Sequence, residues 1–223
     1  MEMRHDIASQ GTGDCISIRR GKLALISGSR HTCIHLLESS VLAVLRSRGG
    51  AALWIDGGNS FNPYSITESV CNGLAPSTDL LEHIFIARAF TAHQLNAIAK
   101  GAAEKSIQYG ATVAVISSCT ELFISDVAWK EGLDLLEDTL LSLARLAHTT
   151  GCWVIATDSS WLKQDAIQRL LASSCDLLLD AADLDGRKLC YSQDSLNFRK
   201  VVYVPPLERY GVAYGKNRSD VQK

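Results

Sequence analysis

Short apolar runs alternate with amphipathic stretches along most of this chain, and that alternation limits the fold more than any other feature. The runs are rich in Val, Ile, Leu and Ala and are short, which is typical of strands buried inside a sheet. Six strands are predicted, at 22–27, 52–55, 84–87, 112–117, 152–157 and 177–180. The pattern predicts an α/β fold, a mostly parallel twisted sheet flanked by helices on both faces.

Helices are predicted between these strands, because stretches 32–48 and 131–148 carry apolar residues at helical spacing. Gly49-Gly50 and Gly151 follow directly, where a left-handed cap is expected. A further helix is predicted at 165–173. The helices and strands together fit one domain over residues 1–214, with a core at about 21–205.

The pattern of apolar and polar residues changes after Asp180. Short apolar segments at 189–191 and 201–204, with Phe198 between them, are separated by turn residues. They predict a closing antiparallel hairpin that ends at Pro205-Pro206. The polar tail 215–223 is expected to be disordered.

Composition excludes several classes of protein. The 223 residues are 47% hydrophobic and carry a net charge of −2, so coating nucleic acid through bulk charge is not expected. No apolar run reaches the roughly 20 residues of a membrane span, and the first residues do not resemble a signal peptide. The seven cysteines show no C-x-x-C spacing, which favours reduced thiols over a zinc site or disulfides. We therefore expect a cytoplasmic protein with no membrane contact.

A sharp strand-to-helix junction lies at Gly28-Ser-Arg-His-Thr32. A phosphate-binding loop of the form G-x-x-x-x-G-K-[ST] needs eight residues, because consecutive N–H groups must surround the phosphates. This junction has five residues; His31 stands where the lysine would be, and Thr32 stands at the magnesium-ligand position. Arg30 adds charge but does not rebuild the backbone cradle. The junction predicts a phosphate loop that has degenerated.

Four segments give a more specific resemblance. LWIDGGNSFNPY at 53–64, LEHIFIARAF at 81–90, VAVISSCTELF at 113–123 and LARLAHTTGCWVIATD at 143–158 resemble, in order and interval, segments of RecA/RadA-type recombinases. The resemblance covers about 21–205 and implies a RecA-like P-loop NTPase core. The N-terminal DNA-binding domain of RadA has no counterpart here, as in archaeal RadB-type paralogs.

The resemblance also implies that the ATPase chemistry has been lost. His31 replaces the P-loop lysine, Ser117 replaces the Walker B aspartate and Gly58 replaces the glutamate that polarises water, so clamping, magnesium retention and nucleophile positioning are each affected. Asp56 persists, although it serves equally well as a turn acceptor. No catalytic residue, metal or cofactor is expected. The degenerate nucleotide site is predicted to consist of Gly28, Ser29, Arg30, His31, Thr32, Asp56, Gly58 and Ser117.

DNA-binding residues are predicted from two loops and from the C-terminal part. The family's two DNA-facing loops correspond to segments with Trp129 and Lys130, and with Trp161 and Lys163. Aromatic side chains of this kind stack on bases in single-stranded DNA sites, although loop anchoring or a partner contact explains both tryptophans more simply. The C-terminal part adds basic residues that a solvated face would also explain: Arg187, Lys188, Arg199 and Lys200.

Two other motifs receive less weight. His31 and His35 have metal-ligand spacing with Glu38 one turn further on, but a third ligand is not evident. No Phe-x-x-Ala motif of the kind that RadA uses to polymerise is readable, so long self-filaments are not expected.

These observations predict a non-catalytic recombinase paralog that assists homologous recombination and DNA repair. Its partners would be a RecA-family recombinase or another paralog, with single-stranded DNA and a homodimer as further hypotheses. One alternative is an atypical ATPase that binds ATP and magnesium through Arg30, His31 and Thr32. The other is a KaiC-like regulatory module unconnected to DNA.

Overall fold

The computed structural model describes residues 18–71, 79–158, 165–184, 187–192 and 201–204. The strands are β1 (Leu23–Gly28), β2 (Ala51–Asp56), β3 (Ile84–Arg88), β4 (Ala111–Ser117), β5 (Trp153–Asp158), β6 (Leu177–Leu184), β7 (Arg187–Ser192) and β8 (Val201–Val204). The helices are α1 (Arg30–Arg48), α2 (Pro63–Cys71), α3 (Asp79–Glu82), α4 (Ala92–Tyr109), α5 (Glu121–Ser125), α6 (Trp129–Thr150) and α7 (Asp165–Ser174).

All strands belong to one sheet in the order β3-β2-β4-β5-β1-β6-β7-β8. The first six in that order are parallel, while β7 is antiparallel to β6 and β8 to β7. The predicted fold class is therefore confirmed, including the antiparallel closure. The strands begin or end up to a few residues away from their predicted bounds, because apolar patterning marks the buried middle of a strand better than its ends.

Each face of the sheet packs against its own helices. One core lies between the sheet and α1 and includes Leu37, Val41 and Trp54. The other lies between the sheet and α4, α6 and α7, and includes Leu95, Leu140 and other fully buried side chains. The helices are thus on both faces, as the alternation of the sequence predicts.

The ends of the two predicted long helices differ in part from expectation. Both helices begin two residues early, at Arg30 and Trp129. Gly151 is left-handed, as predicted (φ 65°, ψ 17°). Gly49 has φ 67° but ψ −156°, so the expectation of a left-handed cap there is wrong; Gly50 follows with another positive φ of 80°, and the two glycines turn the chain into β2.

Within the described ranges, no helix is long and apolar enough to cross a membrane. Pro205-Pro206, Phe198 and the tail 215–223 lie outside the described residues, so the predictions made for them stay predictions. The single-domain boundary at residue 214 also stays a prediction.

Candidate functional site

Four parallel strands end side by side along one rim of the sheet, which we call the carboxyl edge. It is formed by the ends of β1, β2, β4 and β5 at Gly28, Asp56, Ser117 and Asp158. In open α/β sheets, ligands bind outside the carboxyl ends of the strands. The structure brings the predicted nucleotide-site residues together at this edge.

The connection from β1 to α1 is a single residue, Ser29. Ser29 is the N-cap of α1: its Oγ accepts a hydrogen bond from the Thr32 N–H (3.2 Å) and lies 2.8 Å from Thr32 Oγ1. The Cys33 N–H donates to the Ser29 carbonyl (2.9 Å). The N–H groups of Thr32 and Cys33 are thus bonded to the cap residue, and the buried Thr32 hydroxyl is directed at Ser29.

Gly28 is required by close packing with the neighbouring strand. A Cβ at this position would lie 2.6 Å from the carbonyl oxygen of Ala181, its register partner on β6. The glycine therefore allows β1 and β6 to pack tightly, which explains its presence without any phosphate contact.

Arg30 connects two segments of the carboxyl edge. Its Nη2 donates to the carbonyl oxygen of Gly58 in the turn after β2, so the guanidinium joins the first turn of α1 to the loop that follows Asp56. His31, the next residue, is exposed. The positive charge of Arg30 is thus already held by a backbone acceptor of the same edge.

The turn after β2 has no room for larger side chains at its two glycines. A Cβ on Gly57 would lie 2.9 Å from the Ser117 carbonyl oxygen, and one on Gly58 would lie 2.8 Å from the Ser118 Cβ. Ser118 itself has φ 52°, a rare conformation for a residue with a side chain. A glutamate at position 58 would not fit unless this turn moved.

Asp56 organises the same turn. It is fully buried and accepts hydrogen bonds from the Ser60 N–H (2.9 Å), the Phe61 N–H (3.1 Å) and the Ser60 hydroxyl (3.1 Å). It also forms an ion pair with Arg88 of β3, with Nε 3.0 Å from Oδ2. Burial alone would raise the pKa of Asp56, but the hydrogen bonds from Ser60, Phe61 and Ser117 outweigh it and lower this pKa.

Ser117, the last residue of β4, completes the network. Its Oγ donates to Asp56 Oδ1 over 2.9 Å, and both side chains are fully buried. The serine hydroxyl therefore stabilises the Asp56 carboxylate. A carboxylate in its place would face Asp56 with like charge.

Comparison with known protein families shows that the family model described as Rad51 matches residues 27–175. The match covers more than half of the chain and begins at the end of β1. The chain belongs to the Rad51 family. Comparison with curated proteins gives no significant match. Family membership associates this protein with recombinases and with recombination and repair, which is the coarser part of the functional prediction.

Three side chains at or beside the carboxyl edge were not predicted from the sequence. Arg88 lies in the Ala-Arg-Ala-Phe segment and could have been found as a cation following a strand. Ser60 follows Asp56 at the spacing of a capped turn. Thr120, whose hydroxyl donates to Asp158 Oδ1 over 2.8 Å, gave no signal, because the contact joins the start of α5 to the end of β5, which are distant in sequence.

Four cysteines of the chain are free thiols: Cys33, Cys119, Cys152 and Cys175. Burial raises the pKa of the Cys119 thiol well above its usual range, and nearby Asp158 raises it further. Burial likewise raises the pKa of Cys175 to about 12. Both thiols are therefore protonated at neutral pH and unsuited to nucleophilic chemistry.

The residues with metal-ligand spacing are used in other contacts. His35 Nδ1 lies 3.2 Å from the Ser39 hydroxyl, and Glu38 accepts a hydrogen bond from the Ser65 hydroxyl. Among the residues whose positions the structure gives, no group of three or more His, Cys, Asp or Glu side chains could hold a metal ion.

The predicted DNA residues are described only in part. Trp129 is the first residue of α6 and is 45% exposed; Lys130 beside it is also exposed. Exposed acidic residues, Asp126, Glu131 and Asp134, surround this pair in sequence, and they would repel a phosphate backbone. Arg187 and Lys188 lie in β7, whose backbone alone is described, while Trp161, Lys163, Arg199 and Lys200 fall outside the described residues.

Proposed function

We propose that this Rad51-family protein is a non-catalytic paralog that assists recombination by binding a RecA-family recombinase or another paralog. The observation that carries the proposal is that residues described at the carboxyl edge form hydrogen bonds with one another. Arg30 bonds to Gly58, Ser29 caps Thr32, and Ser117 bonds to Asp56. Three parts of a nucleotide site are thereby engaged in internal contacts.

Opening this edge for a nucleotide would cost free energy. Loss of the Ser29 cap costs about 1 kcal/mol. Each hydrogen bond to a charged group contributes about 1.5 to 3 kcal/mol. Phosphate binding would have to offset these losses and also unwind the start of α1, because a one-residue connection presents too few N–H groups. This cost supports a role that depends on binding a partner rather than on turnover.

A closed edge can still serve as an interaction surface. In the proposed mechanism, the surface of this protein resembles that of a recombinase subunit and binds a neighbouring subunit. The protein then caps or seeds a filament without hydrolysing ATP. Exposed Tyr64 and Phe90, at 75% and 65% exposure, follow β2 and β3 on this side of the sheet and provide apolar contacts of the kind found in protein interfaces.

The test is direct binding of the full chain to the purified RecA-family recombinase of the same organism, measured with and without single-stranded DNA. We expect saturable binding that weakens in a Phe90→Ala variant, with Ile107→Ala, another exposed apolar residue, as the matched control. Binding to the DNA alone with no binding to the recombinase would contradict the proposal. No binding to either would favour a KaiC-like regulatory role.

A further inference from the structure

The solvent-facing side of α6 carries opposite charges in its two halves. The N-terminal half exposes Asp134 and Glu137, and the C-terminal half exposes Arg145 and His148. Leu141 lies between the two halves and is 48% exposed. We call these five residues the α6 stripe. We propose that two copies of this chain associate through the α6 stripe, antiparallel about a two-fold axis at Leu141.

The α6 stripe is straight and symmetric about its centre. With 3.6 residues per turn, its four charged residues all fall within about 40° of Leu141 around the helix axis. Glu137 and Arg145 lie about 6 Å from Leu141 along the axis, on opposite sides, and Asp134 and His148 lie about 10.5 Å from it. A two-fold axis at Leu141 therefore superposes the acidic positions of one copy on the basic positions of the other.

The acidic half of the α6 stripe is available for contact with another molecule. Asp138, which lies just beside the stripe, forms an ion pair with Lys100 of α4 over 2.5 Å and accepts a hydrogen bond from Asn96 over 3.2 Å. Asp134 and Glu137, in contrast, form no ion pair with any residue whose position the structure gives. Their carboxylates can therefore pair with cations of a second copy without breaking a contact of their own.

Charge selects both the direction of pairing and the occupant. In the antiparallel pair, Arg145 of one copy lies against the half of the second copy that carries Glu137 and Asp134, and the two-fold axis repeats this contact. A parallel pair would set Glu137 against Glu137 and Arg145 against Arg145, and like charges in contact are unfavourable. A surface that is acidic at one end and basic at the other is complementary to itself, so a second copy of this chain is the partner that fits it.

Small residues beside the α6 stripe allow two helices to approach each other. Helix α4 contacts α6, since the Asn96 side chain donates to the Leu135 carbonyl over 3.1 Å, and the exposed residues of α4 include the small Ala97 and Gly101. Packed helices have axes about 8 to 10 Å apart, so the two Leu141 side chains would contact each other at the two-fold axis. The centre of this surface is separate from the carboxyl edge, and dimerisation can fail while the proposed function stands.

The first test is sedimentation of the full chain over a wide concentration range, at low and at high salt. We expect a monomer–dimer equilibrium whose dissociation constant rises with salt, because salt screens exposed charges. Arg145→Glu should raise this constant at least about tenfold, because two attractive contacts become repulsive. Arg48→Glu, at an exposed arginine that ends α1, changes the net charge equally and should leave the constant unchanged. A wild-type chain that stays monomeric would overturn the proposal, as would a dimer that Arg145→Glu does not weaken.

Two further variants keep the test independent of a folding defect in Arg145→Glu. The charge swap Glu137→Arg/Arg145→Glu should dimerise more tightly than Arg145→Glu alone, because opposite charges face each other again. Leu141→Cys should form a disulfide-linked dimer on oxidation, because facing Cα atoms of helices packed about 8 to 10 Å apart are about 3.4 to 5.4 Å apart, which overlaps the disulfide range. Ala43→Cys, at an exposed position of α1, is the matched control. No recovery in the charge swap, or equal cross-linking at positions 141 and 43, would contradict pairing through α6.

Discussion

The Asp56 carboxylate accepts hydrogen bonds from the backbone of Ser60 and Phe61 and from the Ser117 hydroxyl, and it forms an ion pair with Arg88. At the scale of single residues, this network links the ends of β2, β3 and β4. Asp56, which the family resemblance assigns to a nucleotide site, therefore stabilises a turn in this structure.

A carboxylate at position 117 should destabilise this protein. Ser117→Asp would place a second buried carboxylate where a hydroxyl now donates to Asp56 over 2.9 Å, and like charges at that distance oppose ionisation. Ser117→Ala loses one hydrogen bond to a charged group and should cost about 1.5 to 3 kcal/mol. Urea unfolding at neutral pH should show a larger loss for Ser117→Asp than for Ser117→Ala. An unchanged or increased stability in Ser117→Asp would contradict the role given to Ser117.

Asp56 should also contribute to acid lability. Its folded pKa lies below the unfolded value of 3.8, so its contribution is fully present above pH 3.8 and is lost as pH falls through the folded pKa. Asp56→Asn should be less stable than wild type at neutral pH, and the difference between the two should shrink below about pH 4. Urea unfolding at a series of pH values measures this. A difference that stays constant down to pH 2.5 would show that Asp56 is not the ionised acceptor described.

At the scale of elements, the junction of β1 with α1 determines what the carboxyl edge can do. The sequence indicates a shortened five-residue junction from Gly28 to Thr32, but the structure leaves only Ser29 between strand and helix. The difference arises because Ser29 accepts the Thr32 N–H and starts the helix early. An N-cap serine is recognisable from sequence, so this feature could have been predicted.

A cap substitution tests that junction. Ser29→Ala should lower the free energy of unfolding by about 1 kcal/mol, and Ser29→Gly by only a few tenths, because glycine is tolerated at N-caps. Equilibrium denaturation of both variants, with Ser27→Ala as a nearby control, would measure the difference. Equal effects of alanine and glycine at position 29 would argue against a capping role.

The strands and the helices α1 and α6 could be predicted from apolar periodicity, since burial repeats along each element, whereas the long helix α4 was not predicted. The partners of Arg30 and Thr120 could not, because Gly58 and Asp158 are distant in sequence and are brought near only by the sheet order. The place of Asp56 at a strand end predicts either a turn acceptor or a functional group, and Ser60 lies within the same turn. Ser117 was identified as a missing carboxylate, but its bond to Asp56 depends on β2 and β4 being neighbours.

At the scale of the whole molecule, the structure is a Rad51-family α/β core with helices packed on both faces of its sheet, and several side chains described at its carboxyl edge form hydrogen bonds within that edge. The proposed function requires that this edge does not bind nucleotide. A ligand present at 100 times its dissociation constant stabilises a protein by about 2.7 kcal/mol. The account therefore predicts no nucleotide-dependent shift in unfolding temperature.

The most direct test is calorimetric titration of the full chain with ATP and ADP in the presence of magnesium. A recombinase with an intact P-loop serves as the positive control, and an Arg30→Ala/His31→Ala double variant is titrated in parallel. We predict no binding heat for the wild-type chain at nucleotide concentrations that saturate the control. Clear binding to the wild type that is lost in the double variant would contradict the account and make the atypical ATPase, with Arg30 and His31 at the phosphates, the better description.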